Sequence, residues 1–181
     1  MKKAFTMIEL VFVIVVIGIL AAVIIPNTRT NPLYEAATQL VSHIRYAQHL
    51  GMVDDKFDST TGSQWHRNRW QIRFNGNQYT IASENNTVFA KNPMNADANL
   101  SNTDLMAKYS TAVTFTDSCA GTNIILSFDH LGRPIVGDLS ANTTAYTSQL
   151  INTACTITLS SNDENVSIKV EPETGYAHII N

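Results

Sequence analysis

The sequence predicts an α+β protein in which one long N-terminal helix, membrane-spanning in its first half and amphipathic in its second, packs on an antiparallel β-sheet head. Two observations support this prediction. An apolar run near the N-terminus passes into a segment with helical spacing. The remainder of the chain alternates apolar and polar residues between turn signals, which is typical of antiparallel strands.

The apolar run predicts the membrane-spanning half of the helix, residues 5–26. Residues 10–25 carry no charge. A helix from Phe5 to Ile25 would be about 32 Å long at about 1.5 Å per residue, enough to cross a hydrocarbon core of about 30 Å. Pro26 ends the run, and we expect the helix to bend there.

Residues 27–53 predict the amphipathic continuation of the helix. Asn31-Pro32 places a capping residue before a proline at a first helical position. The apolar residues at helical spacing are Leu33, Ala36, Ala37, Leu40, Ile44 and Ala47. We expect this stripe to pack against the head.

Residues 54–181 predict the β-rich head. Asn75-Gly76 is a hairpin signal between two alternating segments. Residues 155–159 and 166–170 alternate on either side of a polar turn, and a further turn leads into residues 176–180. Residues 83–104 show little periodicity and predict a long surface excursion.

Composition and motifs exclude several classes of function. The 181 residues have a net charge of −3, so no global positive field attracts nucleic acid. The five histidines have no nucleophile or metal-binding motif around them, and no glycine-rich phosphate loop is present. The sequence therefore predicts a protein that is not an enzyme and has no cofactor or metal site.

The first ten residues carry the most specific pattern. Lys2 and Lys3 are basic, a phenylalanine follows Ala4, and Glu9 is the one carboxylate near the start of the apolar run. A secretory signal peptide is the competing interpretation. Its basic region would be unusually short, and a carboxylate in hydrocarbon costs a few kcal/mol unless it has a partner.

This pattern resembles the N-terminal signature of type IV pilins and pseudopilins. The resemblance implies that residues 1–4 are a leader, that a prepilin peptidase cuts between Ala4 and Phe5, and that Phe5 is then N-methylated. Where the family usually has glycine before the cut, this chain has Ala4. The resemblance also implies a single pass through the bacterial inner membrane, with the head in the periplasm. The implied partners are other pilin subunits and an inner-membrane assembly platform.

Glu9 is the candidate assembly residue. Opposite charges about 4 Å apart interact by about 4 kcal/mol at an effective dielectric of about 20. The Glu9 carboxylate of one subunit would therefore pair with the Phe5 ammonium of a staggered neighbour and fix its register. The alternative is that Glu9 only marks the membrane boundary.

Turn residues in the second half of the head resemble those of H-type minor pseudopilins. They are Phe128-Asp129, Gly132-Arg133-Pro134 and Gly175, and the same pattern includes the strand segments Thr156-Ile157-Thr158-Leu159 and Ile168-Lys169-Val170. Generic antiparallel hairpins are the alternative explanation. The resemblance implies a structural minor pseudopilin or minor pilin, acting in protein transport by a type II secretion system or in a type IV pilus-like filament.

The alternative function is a minor pilin whose head binds DNA during natural transformation, or binds a secreted substrate. Arg67, Arg69 and Arg73 would share one face of a strand, from which they would contact phosphates. The other interpretation of these arginines is the wet face of a half-buried strand.

Two further features concern covalent chemistry. Cys119 and Cys155 form an even pair, which outside the cytoplasm favours a disulfide, although two separate buried thiols are the alternative. Asn99 and Asn165 each follow an acidic residue by two positions and precede a serine by two. That spacing resembles the bacterial N-glycosylation acceptor.

Overall fold

The computed structural model describes residues 6–24, 31–139 and 146–180. The chain divides into two units, residues 1–31 and residues 32–181. The first contains helix α1, Met7–Ile24, and the second contains helix α2, Pro32–Val53, together with all the strands.

Antiparallel sheet dominates the second unit. The described residues form twelve strands in three sheets. The strands are β1 Gln71–Asn75, β2 Gln78–Ser83, β3 Val88–Phe89, β4 Lys91–Asn92, β5 Asn95–Asn99, β6 Thr103–Asp104, β7 Ala112–Asp117, β8 Ile125–Phe128, β9 Pro134–Val136, β10 Cys155–Ser161, β11 Glu164–Val170 and β12 Ala177–Ile180. A short helix α3, Leu105–Tyr109, and 3-10 segments at Ser59–Asn68 and Tyr146–Gln149 complete the unit.

The predicted fold class is wrong in its main element. Within the described residues the chain is mostly antiparallel sheet with three short α-helices, and no long N-terminal helix is present. The helical residues fall instead into α1, with 18 residues, and α2, with 22. Helix α2 begins at Pro32, because a proline lacks the N–H that continues a helix but fits the first turn of one. The predicted bend at Pro26 lies outside the described residues.

The predicted localisation is also corrected. None of the helices in the described residues is both long and apolar enough to cross a membrane. At about 1.5 Å per residue, α1 rises about 27 Å, which is less than the hydrocarbon thickness of about 30 Å. A single-pass inner-membrane protein is therefore not supported.

Helix α2 contributes one face to the core of the second unit. Its buried apolar residues are Leu33, Ala36, Ala37, Leu40, Val41, Ile44 and Ala47. They pack against strands of two sheets, one ordered β3-β2-β1-β8-β9 with β6 added beside β2, the other ordered β12-β11-β10-β7. The two-stranded sheet β4–β5 lies outside both.

The hairpins follow local turn chemistry. Asn75 pairs with Gln78 across a two-residue turn, and Gly76 has a φ of 57°, a conformation that glycine adopts without strain. Cys155 to Ser161 pair with Val170 to Glu164 in the second hairpin, and β12 then adds to β11. The hairpins predicted in these two places are present.

The residues of the β8–β9 turn form a structural joint with the end of α2. The buried Asp129 carboxylate accepts hydrogen bonds from the backbone N–H groups of Leu131, at 3.0 Å, and Arg133, at 2.8 Å. Its other oxygen lies 2.7 Å from Nε of Arg133. Gln48 of α2 donates to the carbonyls of Gly132, at 2.9 Å, and Thr174, at 2.8 Å. The joint therefore fixes the β8–β9 turn against the end of α2.

Candidate assembly surface

Helix α1 is an apolar rod whose side chains are exposed. Every side chain described from residue 6 to residue 21 is exposed, and the large apolar ones range from 37% at Val16 to 83% at Met7. Single apolar side chains on a protein surface are ordinary, but a continuous apolar surface of this kind marks an interaction site. The geometry of α1 is therefore suited to association through its whole circumference.

Thr6 and Glu9 organise the first turn of α1. The Glu9 backbone N–H lies 3.3 Å from Oγ1 of Thr6 and 3.1 Å from its carbonyl oxygen. Thr6-Met7-Ile8-Glu9 has the spacing of a capping box, in which a threonine hydroxyl accepts from the third helical N–H. A carboxylate in the first turn is also favoured by the positive end of the helix dipole. Glu9 thus has a local role as well as its predicted role between subunits.

The predicted processing residues cannot be placed beside Glu9. Ala4 and Phe5 lie outside the described residues. Glu9 itself is described, and its side chain is exposed. The pairing of Glu9 with a Phe5 ammonium therefore stays a prediction.

The three arginines of the predicted DNA-contacting face lie in different surroundings. Arg67 belongs to the 3-10 segment, before the strand begins. Arg69 is only 4% exposed, and its guanidinium lies 4.6 Å from the ring centre of Trp65. Arg73 lies on β1, with Nη2 3.7 Å from a carboxylate oxygen of Asp138. The structure does not bring these three side chains onto one exposed face.

The predicted disulfide and the two predicted glycosylation acceptors all lie on described residues. Cys119 and Cys155 form a disulfide, which confirms that prediction and fixes the chain after β7 to the start of β10. Asn99 and Asn165, the predicted glycosylation acceptors, are both exposed and lie in strands β5 and β11.

A polar network inside the second unit was not predicted from the sequence. Nδ1 of His43 lies 2.6 Å from the hydroxyl oxygen of Tyr79, and Gln39 donates to the same oxygen over 3.2 Å. Burial raises the pKa of Tyr79 to about 12. Burial first, and then the charge of Lys108, lower the pKa of His43. His43 and Tyr79 are 36 residues apart, so helical or strand periodicity gives no signal of their contact.

Comparisons of the chain with protein-family models, with characterised proteins and with solved structures find no match.

Proposed function

We propose that the chain is a structural subunit of a type IV pilin-like filament, a minor pseudopilin or minor pilin, which assembles by packing α1 against α1 of other subunits. One observation carries the proposal: α1 is an apolar helix with every described side chain from residue 6 to 21 exposed. Removing an apolar side chain from water stabilises a complex by about 1.5–3 kcal/mol. For a helix of this composition, packing against other apolar helices removes the most apolar surface from water and so stabilises the complex most.

Glu9 gives this association a register. Between packed apolar helices its carboxylate would lose water, which is unfavourable unless a cation lies beside it. Cleavage after Ala4 would create such a cation, the ammonium of Phe5, one turn before Glu9. Within one helix the two groups do not readily meet, whereas a staggered neighbour presents its ammonium at the right height. The charge pair therefore favours one axial offset among the many that apolar packing alone would allow.

The head supports a structural rather than a catalytic role. Its disulfide, the ion pair between buried Asp129 and half-buried Arg133, and the Gln48 bridge all stiffen the unit. The placement of Arg67, Arg69 and Arg73 does not favour the DNA-binding alternative. The proposed partners are therefore other subunits of the same filament and a prepilin peptidase.

Sedimentation of assemblies tests the proposal. The full chain would be produced together with a prepilin peptidase, and intact mass would report loss of residues 1–4 and methylation of Phe5. We expect Val13→Lys, in the middle of α1, to reduce the sedimenting fraction at least about tenfold, because a lysine buried among apolar side chains costs several kcal/mol. Thr38→Lys, at an exposed position on α2, is the matched control and should assemble normally. Normal assembly of Val13→Lys would contradict the proposal.

A further inference from the structure

A cavity of about 480 Å³ opens on the second unit between α2, the β4–β5 hairpin and α3. Gln39 and His43 line it from α2, Asn92 and Asn99 from the hairpin, and Lys108 from α3. Its volume falls within the range of about 300–1,000 Å³ that is usual for small-molecule sites. The cavity is therefore large enough for a ligand of one or two rings.

One ring nitrogen of His43 is left for a ligand in this cavity. The side chain is 5% exposed, and its Nδ1 lies 2.6 Å from the hydroxyl oxygen of Tyr79, which also accepts from Gln39. Nε2 is therefore the ring nitrogen available to a ligand hydroxyl, and it donates or accepts according to the tautomer of the ring.

The lining has one cation, Lys108, and one anion, Asp104, so its formal charges sum to zero. Nζ of Lys108 lies 2.7 Å from Oε1 of Gln39. Asp104 accepts from the backbone N–H of Ala107 at 2.9 Å and from the amide of Gln78 at 2.7 Å. Besides His43, the remaining polar side chains are neutral: the hydroxyl of Thr103 and the amides of Asn92, Asn99 and Asn102. The lining therefore has no net charge that would favour a ligand of one sign. The described residues also hold no group of three His, Cys, Asp or Glu side chains that could bind a metal.

Neutral amides and an imidazole nitrogen suit a ligand rich in hydroxyl groups. Each amide offers a donor and an acceptor in one plane, which matches two adjacent hydroxyls. Met94, which is 91% exposed, and Ala107 supply an apolar surface beside them. The wall is rigid, because the Leu100 N–H donates to the Ala90 carbonyl at 2.8 Å and its carbonyl accepts from Ile81 at 2.9 Å.

We propose that this cavity binds a short neutral saccharide of one or two sugar units. Such a ligand would place hydroxyls against Asn92, Asn102 and His43 and a C–H face against Ala107. The cavity has no α1 residue in its lining, so the result of a sugar-binding experiment does not depend on filament assembly.

Saturation-transfer NMR on the full chain tests this proposal. The protein would be kept in solution with a detergent that has no sugar headgroup. The probes are glucose, galactose, N-acetylglucosamine, cellobiose, lactose and chitobiose. We expect at least one to bind with a Kd on the order of 1 mM. Failure of all six to bind would overturn the proposal, and so would acetate or inorganic phosphate displacing the bound sugar.

Three variants locate the binding. Asn92→Asp keeps the side-chain oxygen that accepts from Met94 N–H at 2.9 Å, so the hairpin turn is retained while the amide donor is lost. Asn92→Asp and Asn102→Ala should each weaken binding about tenfold, the loss expected for one good hydrogen bond. Asn123→Ala, an exposed asparagine outside this cavity, should bind as the wild type does. Equal binding by all three variants would contradict the proposed site.

Discussion

Replacing Asp129 by asparagine should lower the free energy of unfolding by about 3 kcal/mol, because the change removes the buried carboxylate of an ion pair. The side chain of Asp129 is 0% exposed, whereas that of Arg133 is 34% exposed. Asparagine can keep Oδ1 for the backbone N–H groups of Leu131 and Arg133. Its NH₂ group, however, would face Nε–H of Arg133, which now donates to a carboxylate oxygen at 2.7 Å. Because Arg133 can still reach water, the loss should fall at the lower end of the roughly 3–5 kcal/mol for breaking a buried pair.

Urea unfolding followed by tryptophan fluorescence measures this loss, since Trp65 and Trp70 lie in the same unit. The urea concentration at the unfolding midpoint should fall, while the slope of the free energy of unfolding against urea concentration stays the same. Asp97→Asn is the control: Asp97 is exposed, and the change should cost less than about 0.5 kcal/mol. A loss below about 1 kcal/mol for Asp129→Asn would refute the assignment of the turn as a structural joint.

Three further predictions concern the stability of the head. Replacing Cys119 and Cys155 by serine should cost about 3.8 kcal/mol in the chain-entropy model, measured by urea unfolding, and an unchanged midpoint would contradict it. Burial and Lys108 lower the pKa of His43 below 6.5, so the unfolded chain binds the proton more tightly. Stability should therefore be fully present above pH 6.5 and fall as the pH drops below it, and His43→Asn should show a smaller fall between pH 7.5 and 5.5. An equal fall in both proteins would refute this. Gly175→Ala should cost about 2 kcal/mol or more, because φ is 63° and the added Cβ would collide with a carbonyl oxygen of the β8–β9 turn; normal thermal stability would count against it.

Local patterns predicted those parts of the fold that depend on neighbouring residues. The stripe of α2 is buried at each of its six predicted positions because side chains three and four residues apart share one face of a helix. The Asn75-Gly76 hairpin and the β10–β11 hairpin formed where turn residues separate alternating segments. The disulfide followed from the even number of cysteines.

Features that depend on distant residues could not be predicted in this way. Residues 83–104 have little periodicity, yet they contain β3 to β6 and form one wall of the cavity. Their place is decided by partners such as Leu100, which bonds to Ala90 and Ile81. Strand β7 pairs with β10, which lies about 40 residues later in the chain. Closing a loop of this length costs entropy, and only the contacts of the assembled core offset that cost. The predicted long helix was wrong because apolar continuity alone does not determine where a helix ends.

Assembly of Glu9→Gln tests the central claim most directly. The change keeps the size and shape of the side chain but removes the charge that would pair with the Phe5 ammonium of a neighbouring subunit. A charge pair about 4 Å apart interacts by about 4 kcal/mol at an effective dielectric of about 20, so its loss should reduce the sedimenting fraction at least about tenfold. Glu35→Gln, an exposed carboxylate in the first turn of α2, should assemble as the wild type does. If Glu9→Gln sediments like the wild type, the charge pair does not set the register of α1.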